Sequence, residues 1–281
     1  MILSTNLHRF HGAFGLKKTI DIFAEAGFRG IDFNTDIEQY CTDAHSPEFY
    51  RQIKAYANDK GIGFYQAHAP FLTGFPDMAV REQHFSKVVK GLYHCSVLGA
   101  QMVTVHPCKF LDSQGQWNSD AIMEYNLNYY KNLIPYAEEY GIRIAIENLP
   151  GHITKTPEAL LQLLNTLSSD VFTVCYDVGH DQIAGNNPAE TISKLGNKIG
   201  CTHIHDNDGI HDVHTLPYYG VIDWENVMKA FAQSGYTGNV NYEAAYFVSK
   251  VPPELLPQGA KYMAAVGQHL IDCFHHYQTM A

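Results

Sequence analysis

Short apolar runs recur along the chain, and longer segments with hydrophobic residues at three- and four-residue spacing lie between them. Eight of the runs, at residues 2–6, 30–33, 63–67, 102–105, 143–146, 172–176, 201–204 and 239–242, are rich in β-branched and aromatic residues. Runs this short and this continuously apolar read as parallel strands buried on both faces. The intervening stripes are helical in period: Leu16, Ile20 and Phe23; then Phe85, Val88, Val89, Leu92 and Cys95; then Trp224, Val227, Met228 and Phe231. Thr156 before Pro157 and Asp223 before Trp224 have the chemistry of helix N-caps. Gly27, Gly61, Gly99, Gly141, Gly196 and Gly235 each fall between a helical stripe and the next strand, where a left-handed turn suits glycine.

Eight strand-then-helix units in 281 residues predict an α/β fold, a (β/α)8 TIM barrel occupying residues 1–281 as one domain. An open doubly wound sheet is the alternative. It would hold the first and last strands far apart, which conflicts with what lies at the strand ends.

There, in chain order, stand nine side chains able to bind metal: His68, His106, Glu147, Asp177, His180, His203, Asp212, His214 and Glu243. A carboxylate or imidazole at the end of an apolar strand packs poorly, but on a closed ring of strands all nine can converge. Glu147, Asp177, His203 and Glu243, from strands five to eight, form a set of three carboxylates and one imidazole. This donor set suits Mn²⁺, Mg²⁺, Co²⁺ or Zn²⁺. His68, His106, His180, Asp212 and His214 are candidates for further metal or substrate contacts, against the alternative of histidines bonded to backbone and a solvated loop that also holds Asp206, Asn207, Asp208 and His211. His203 and His205 share a face in an extended strand, but the strand is expected to end between them. His205 is therefore assigned to the surroundings of the metal or to the substrate. His8, His45, His84, His94, His152, His275 and His276 receive no role. Arg9, Lys109 and Lys155 lie in strand-end loops where they could meet an anion, and Phe33, Phe71, Trp117 and Tyr246 could wall a pocket.

Composition narrows the function. A chain 46% hydrophobic and 17% charged can bury a full core. Its formal net charge of -10 opposes binding to nucleic acid backbones. The segment 1–10 is too short and polar for a signal peptide, and no apolar run nears the ~20 residues of a membrane span. Six cysteines without CxxC spacing read as buried thiols of a reducing cytoplasm. The oligomeric state is left open.

The motifs Ala145-Ile146-Glu147-Asn148, Tyr176-Asp177-Val178-Gly179-His180, Thr202-His203-Ile204-His205-Asp206-Asn207 and Asn241-Tyr242-Glu243 resemble the xylose-isomerase-like TIM-barrel superfamily, especially its sugar phosphate isomerase/epimerase members. The resemblance implies a divalent metal on Glu147, Asp177, His203 and Glu243, with His180 near the substrate. It also implies that Glu147 and Glu243 are both ligands and proton carriers. A metal chelating a ketose carbonyl and its neighbouring hydroxyl stabilises the cis-enediolate formed when a carboxylate removes the α-proton. Two carboxylates on opposite faces then epimerise the carbon; one returning the proton to the adjacent carbon isomerises the sugar.

The same superfamily includes the type-four apurinic-site endonucleases, whose three zinc ions use nine ligands, and all nine have counterparts here. The chain departs from them at Asn148-Leu149-Pro150-Gly151-His152 and in a shorter loop between His203 and Asp212 that lacks their basic stretch. The leading expectation is thus a metal-dependent isomerase or epimerase of a sugar, sugar phosphate or related polyol, with a small carbohydrate as partner. A multi-zinc phosphoesterase, with more than one zinc, is second, and a non-catalytic metal-containing binding protein third.

Overall fold

The computed structural model describes residues 1–72, 77–110 and 117–280, so residues 73–76, 111–116 and 281 of the expected domain lie outside the described residues. Eight parallel strands follow one another: β1 (Leu3–Asn6), β2 (Gly30–Asn34), β3 (Gly63–His68), β4 (Met102–Val105), β5 (Arg143–Glu147), β6 (Phe172–Asp177), β7 (Ile199–His203) and β8 (Val240–Tyr242). They are ordered β7-β6-β5-β4-β3-β2-β1-β8. A parallel bridge between Ile204 and Tyr242 joins the two ends, with Ile204 N donating to the Asn241 carbonyl at 2.8 Å and Glu243 N to the Ile204 carbonyl at 3.1 Å. The sheet closes as a barrel, and the open-sheet alternative is excluded.

The helices are α1 (His8–Phe14), α2 (Leu16–Ala26), α3 (Pro47–Asp59), α4 (Met78–Leu98), α5 (Ser119–Tyr140), α6 (Pro157–Leu167), α7 (Val178–Ile183), α8 (Pro188–Leu195), α9 (Trp224–Gln233) and α10 (Leu256–Gln278). In α9, all four residues of the expected stripe are buried. In α4, Val88, Leu92 and Cys95 are buried while Phe85 and Val89 only pack against the core. The Thr156 hydroxyl accepts from Ala159 N at 3.3 Å and the Asp223 carboxylate from Asn226 N at 3.1 Å, so both caps form as the sequence implied. Gly27 and Gly99 end α2 and α4 at φ of 110° and 94°, a region a side chain would make costly. None of the described helices is long and apolar enough to cross a membrane.

The strand period of two positions the site. Outward-facing Ile31, Phe33, Val103, Ile144, Ile146, Val174 and Tyr176 join the core under the helices. Inward-facing Met102, Ala145, Cys175 and Cys201 form a separate apolar layer inside the barrel. Two residues farther along three of these strands, on the same face, stand Glu147, Asp177 and His203. The barrel thus has a dry floor beneath a polar mouth at the C-terminal ends of its strands. Five of the six cysteines are buried, Cys273 is partly exposed, and all are free thiols.

Candidate metal centre

The acidic and imidazole side chains form one connected cluster at the mouth. Glu147, Asp177, His203 and Glu243 each offer an atom within 4.8 Å of the others, and the same holds for His68, His106 and Glu147. It holds again for His68, His203 and Glu243, and for His180, His205, Asp212 and His214. The sequence expectations for all nine residues are brought together spatially, and His205 joins them.

His203 Nδ1 lies 2.9 Å from Glu147 Oε1 and 3.2 Å from Glu243 Oε2. On the other side of that ring, Nε2 faces Asp32 Oδ2 at 3.3 Å. Asp32 is itself held by Gln66 Nε2 and Asn241 Nδ2, each donating at 2.9 Å to Oδ2. Asp32, Gln66 and Asn241 went unassigned in the sequence reading. The one signal was polar residues at inward positions of otherwise apolar strands.

Three other imidazoles are oriented by backbone. His68 Nδ1 lies 2.8 Å from the Ala69 carbonyl, His180 Nδ1 3.0 Å from that of Asn148, and His214 Nδ1 2.9 Å from that of Glu243. A carbonyl only accepts, so each Nδ1 carries the proton, and a neutral ring then turns the lone pair of Nε2 toward the cluster. His68 Nε2 and His106 Nε2 are 3.1 Å apart, while His180 and His214 both present Nε2 to Asp212 Oδ2, at 3.2 and 3.1 Å. Converging imidazole lone pairs beside carboxylates are the donor set a divalent cation requires. Glu147 Oε2 is fully buried and receives no hydrogen bond among the described residues, although His106 Nε2 lies 2.6 Å away. The residues therefore fit a metal.

Electrostatics point the same way. Burial would raise the Glu147 carboxyl, but His203 and His106 outweigh it and hold the group well below the usual carboxylate range. Burial would lower His68, yet Glu147 and Glu243 push it up to about 9. His203 is likewise driven well above its ordinary value, against burial, by Glu243 and Glu147. Without an ion, protons on imidazole supply the positive charge that the buried carboxylates need.

Asn148 and Gly179 shape the surroundings. Asn148 receives Asp177 N at 2.7 Å and donates to the Asp177 carbonyl at 2.8 Å, pinning β6 to the end of β5. A Cβ on Gly179 would overlap the His205 ring, so glycine here lets that imidazole reach Asp177 Oδ1 at 3.0 Å. The loop after β7 is more ordered than expected. Fully buried Asp206 accepts from Asn207 N, Tyr218 N, Ile222 N and Trp224 Nε1, at 2.9, 3.0, 3.2 and 2.8 Å. Asn207 is also buried, so the solvated alternative survives for the exposed Asp208 and His211, while Asp212, 39% exposed, is held by His180 and His214.

One assignment needs correction. Phe33 is buried against Tyr40 at 4.8 Å between ring centres and walls no pocket, because its strand position faces the helices. Trp117 lies under Lys109 Nζ at 5.1 Å, and neither is among the residues that line the mouth recess. Lys155 is not among the recess residues either. That recess, of about 390 Å³, is lined by Asn6, His8, Arg9, Asp36, Phe71, His214, Glu243, Tyr246 and Ser249. Arg9, Phe71 and Tyr246 thus line this recess, and so does His8, to which the sequence assigns no role. His84 and His94 are structural, bonded to the Pro70 and Tyr40 carbonyls at 2.8 and 2.9 Å.

A closed barrel carrying acids and imidazoles at its C-terminal mouth defines a TIM-barrel protein with a candidate metal centre. The chain belongs to the xylose isomerase-like TIM barrel family, whose sequence profile matches residues 20–266. It is 32% identical over 185 residues to the protein MJ1311 of Methanocaldococcus jannaschii, a match covering 63% of this chain and 62% of that relative. Among solved structures, a D-tagatose 3-epimerase-like protein superposes with a TM-score of 0.75 at 23% identity, covering 94% of this chain and 98% of the other. The IOLI protein with a bound zinc atom superposes at 0.76 with 20% identity, covering 99% of each chain. Likenesses at this identity establish the fold.

Proposed function

We propose that the protein is a divalent-metal-dependent isomerase or epimerase of a sugar, sugar phosphate or related polyol. The observation that carries this reading is the approach of both Glu147 and Glu243 to His203 Nδ1, at 2.9 and 3.2 Å, within one four-residue donor group. The likeness to a 3-epimerase-like protein and to a zinc-bound barrel supports it. Bound to Glu147, Asp177, His203 and Glu243, a divalent ion would supply Lewis-acid charge to the oxygens of a carbonyl and its neighbouring hydroxyl.

The two glutamates have different surroundings. Glu147 is fully buried and ionised, while the Glu243 side chain is 17% exposed and lines the recess. Glu243 is therefore open to substrate and suited to take a proton from the carbon beside a carbonyl. Glu147 approaches from the barrel interior and can return a proton only after taking one from a neighbouring imidazole, His106 Nε2 lying 2.6 Å from its Oε2. His180, fixed through Nδ1, and His205, against Asp177, hold the far wall. Incubation with a panel of ketoses in heavy water tests the proposal: deuterium should enter at the carbon beside the carbonyl, and absence of exchange with every ketose and ketose phosphate would refute it.

One observation favours a second reading. His68, His106 and Glu147, and separately His180, His205, Asp212 and His214, also bring ligand atoms within 4.8 Å of one another. Several ions there would suit a phosphoesterase. Elemental analysis finding more than one metal per chain, together with phosphoester hydrolysis and no proton exchange, would replace the first reading with this one.

A further inference from the structure

We infer that the recess beside Glu243 is the subsite for an uncharged, hydroxylated portion of the substrate, and that Asp36 makes it reject a terminal phosphate; this rests on the isomerase or epimerase reading above. The recess is continuous with the reacting centre because His214 and Glu243 belong to both. Its outer walls come from Asn6 at the end of β1, His8 and Arg9 in α1, Asp36 beyond β2, Phe71 beyond β3 and Tyr246 beyond β8.

Three polar atoms in these walls lack a partner among the described residues: Asn6 Nδ2, Arg9 Nε and Asp36 Oδ1. Two are donors and one is an acceptor. Arg9 is anchored by Nη2, which donates to the Val251 carbonyl at 2.9 Å, and Asp36 Oδ2 stands 3.8 Å from His8 Nε2. All three are buried, so side-chain movement must uncover them; a hydroxyl both donates and accepts, and neighbouring hydroxyls on one carbon chain can then answer them. A phosphate dianion only accepts. It would draw on Arg9 and Asn6 while facing the Asp36 carboxylate, with Arg9 the one permanently charged cation among the recess residues. Phe71 and Tyr246 are 46% and 66% exposed, offering apolar ring faces to the C–H face of a sugar.

A larger groove of about 840 Å³ between α4 and α5 is lined half by apolar and aromatic residues such as Phe85, Tyr129 and Tyr136 and half by polar ones such as Arg81, Glu82 and Lys131, and it shares no residue with the candidate metal centre. It offers no chemistry for this role.

The test is calorimetric binding of a free ketose and its terminal phosphate ester to metal-loaded wild-type protein, Asp36→Asn and Tyr246→Ala, with heavy-water exchange run on the same samples. Wild type should bind the free ketose at least ~10-fold tighter, the scale of one unpaired or repelled polar contact. Asp36→Asn should bring the two affinities within ~3-fold, and Tyr246→Ala should weaken the free ketose by roughly 3-fold or more, both scales set by single-contact energies. Equal or tighter binding of the phosphate by wild type, or an unchanged ratio in Asp36→Asn at a wild-type melting temperature, overturns the subsite. A preference for the free ketose without deuterium exchange sinks the isomerase or epimerase reading and leaves the subsite standing. Exchange without the preference does the reverse, and failure of both binding and exchange removes both.

Discussion

Asp32 and His203 face each other inside the barrel at 3.3 Å, both essentially excluded from solvent. Because Asp32 can only accept when ionised, it favours a proton on His203 Nε2 and leaves Nδ1 aimed at Glu147 and Glu243. Asp32→Asn keeps the shape and removes the charge. Metal affinity, measured by competition with a chromophoric chelator, should fall by roughly 10- to 100-fold, as for other residues that orient a metal-binding histidine. Unchanged affinity would reduce Asp32 to a packing role.

The metal-free protein should lose stability in alkali. Burial would lower His68 and His214, but Glu147 in the first case and Asp212 in the second lead the groups that raise each to about 9 from 6.5. A histidine raised by folding stabilises the native state fully below its unfolded value, and that contribution disappears as pH climbs through the folded value. The melting temperature of chelator-treated protein should therefore drop between pH 6.5 and pH 9 or above. Metal-loaded protein should show a weaker dependence over that window. Adding metal at pH 7 should release protons, detectable in weakly buffered solution, since ligand nitrogens must give them up.

Glu147→Gln and Glu243→Gln preserve size and abolish the base. Each should slow deuterium exchange by roughly 100-fold or more, the ordinary scale of general base catalysis. Metal content measured on each variant separates loss of the base from loss of the ion. Full exchange in a metal-loaded Glu243→Gln protein would dismiss Glu243 as the proton acceptor.

Asp206→Ala should be a stability variant. It strands three backbone donors and the Trp224 indole in a buried setting, at a cost of roughly 3 kcal/mol or more. A denaturant titration checks this. Loss of less than ~1 kcal/mol, the worth of a single ordinary hydrogen bond, would mean that water replaces the carboxylate.

The barrel was legible because its strands announce themselves twice, as short apolar runs and as runs ending in acids or imidazoles. The centre followed from the period of two: once Ala145 faces inward, Glu147 must as well. Ends of strands were less secure. β7 begins at Ile199 and stops at His203, two residues earlier at its start and one at its end than the apolar pattern suggested. Phe33 shows the limit for aromatics, since a large ring beside a strand end gives no sign of which face it occupies. Asp206 shows the limit for loops: four donors gathered from residues 207–224 reach one carboxylate, and nothing in the local sequence encodes that convergence. His8 and Asp36 come from different units and meet only after the barrel has closed.

The four-residue group and the His180, His205, Asp212 and His214 group have no member in common, whereas Glu147 belongs both to the former and to the His68 and His106 corner. The mouth is consequently modular. Mutational drift confined to the loop carrying Asp212 and His214 can strip away one compartment and leave the strand-end acids untouched. Change at Glu147, His68, His203 or Glu243 strikes two groups at once, since each belongs to two. Descendants of such a barrel can thus gain or shed ion positions one loop at a time, with Glu147, His68, His203 and Glu243 the residues least free to change.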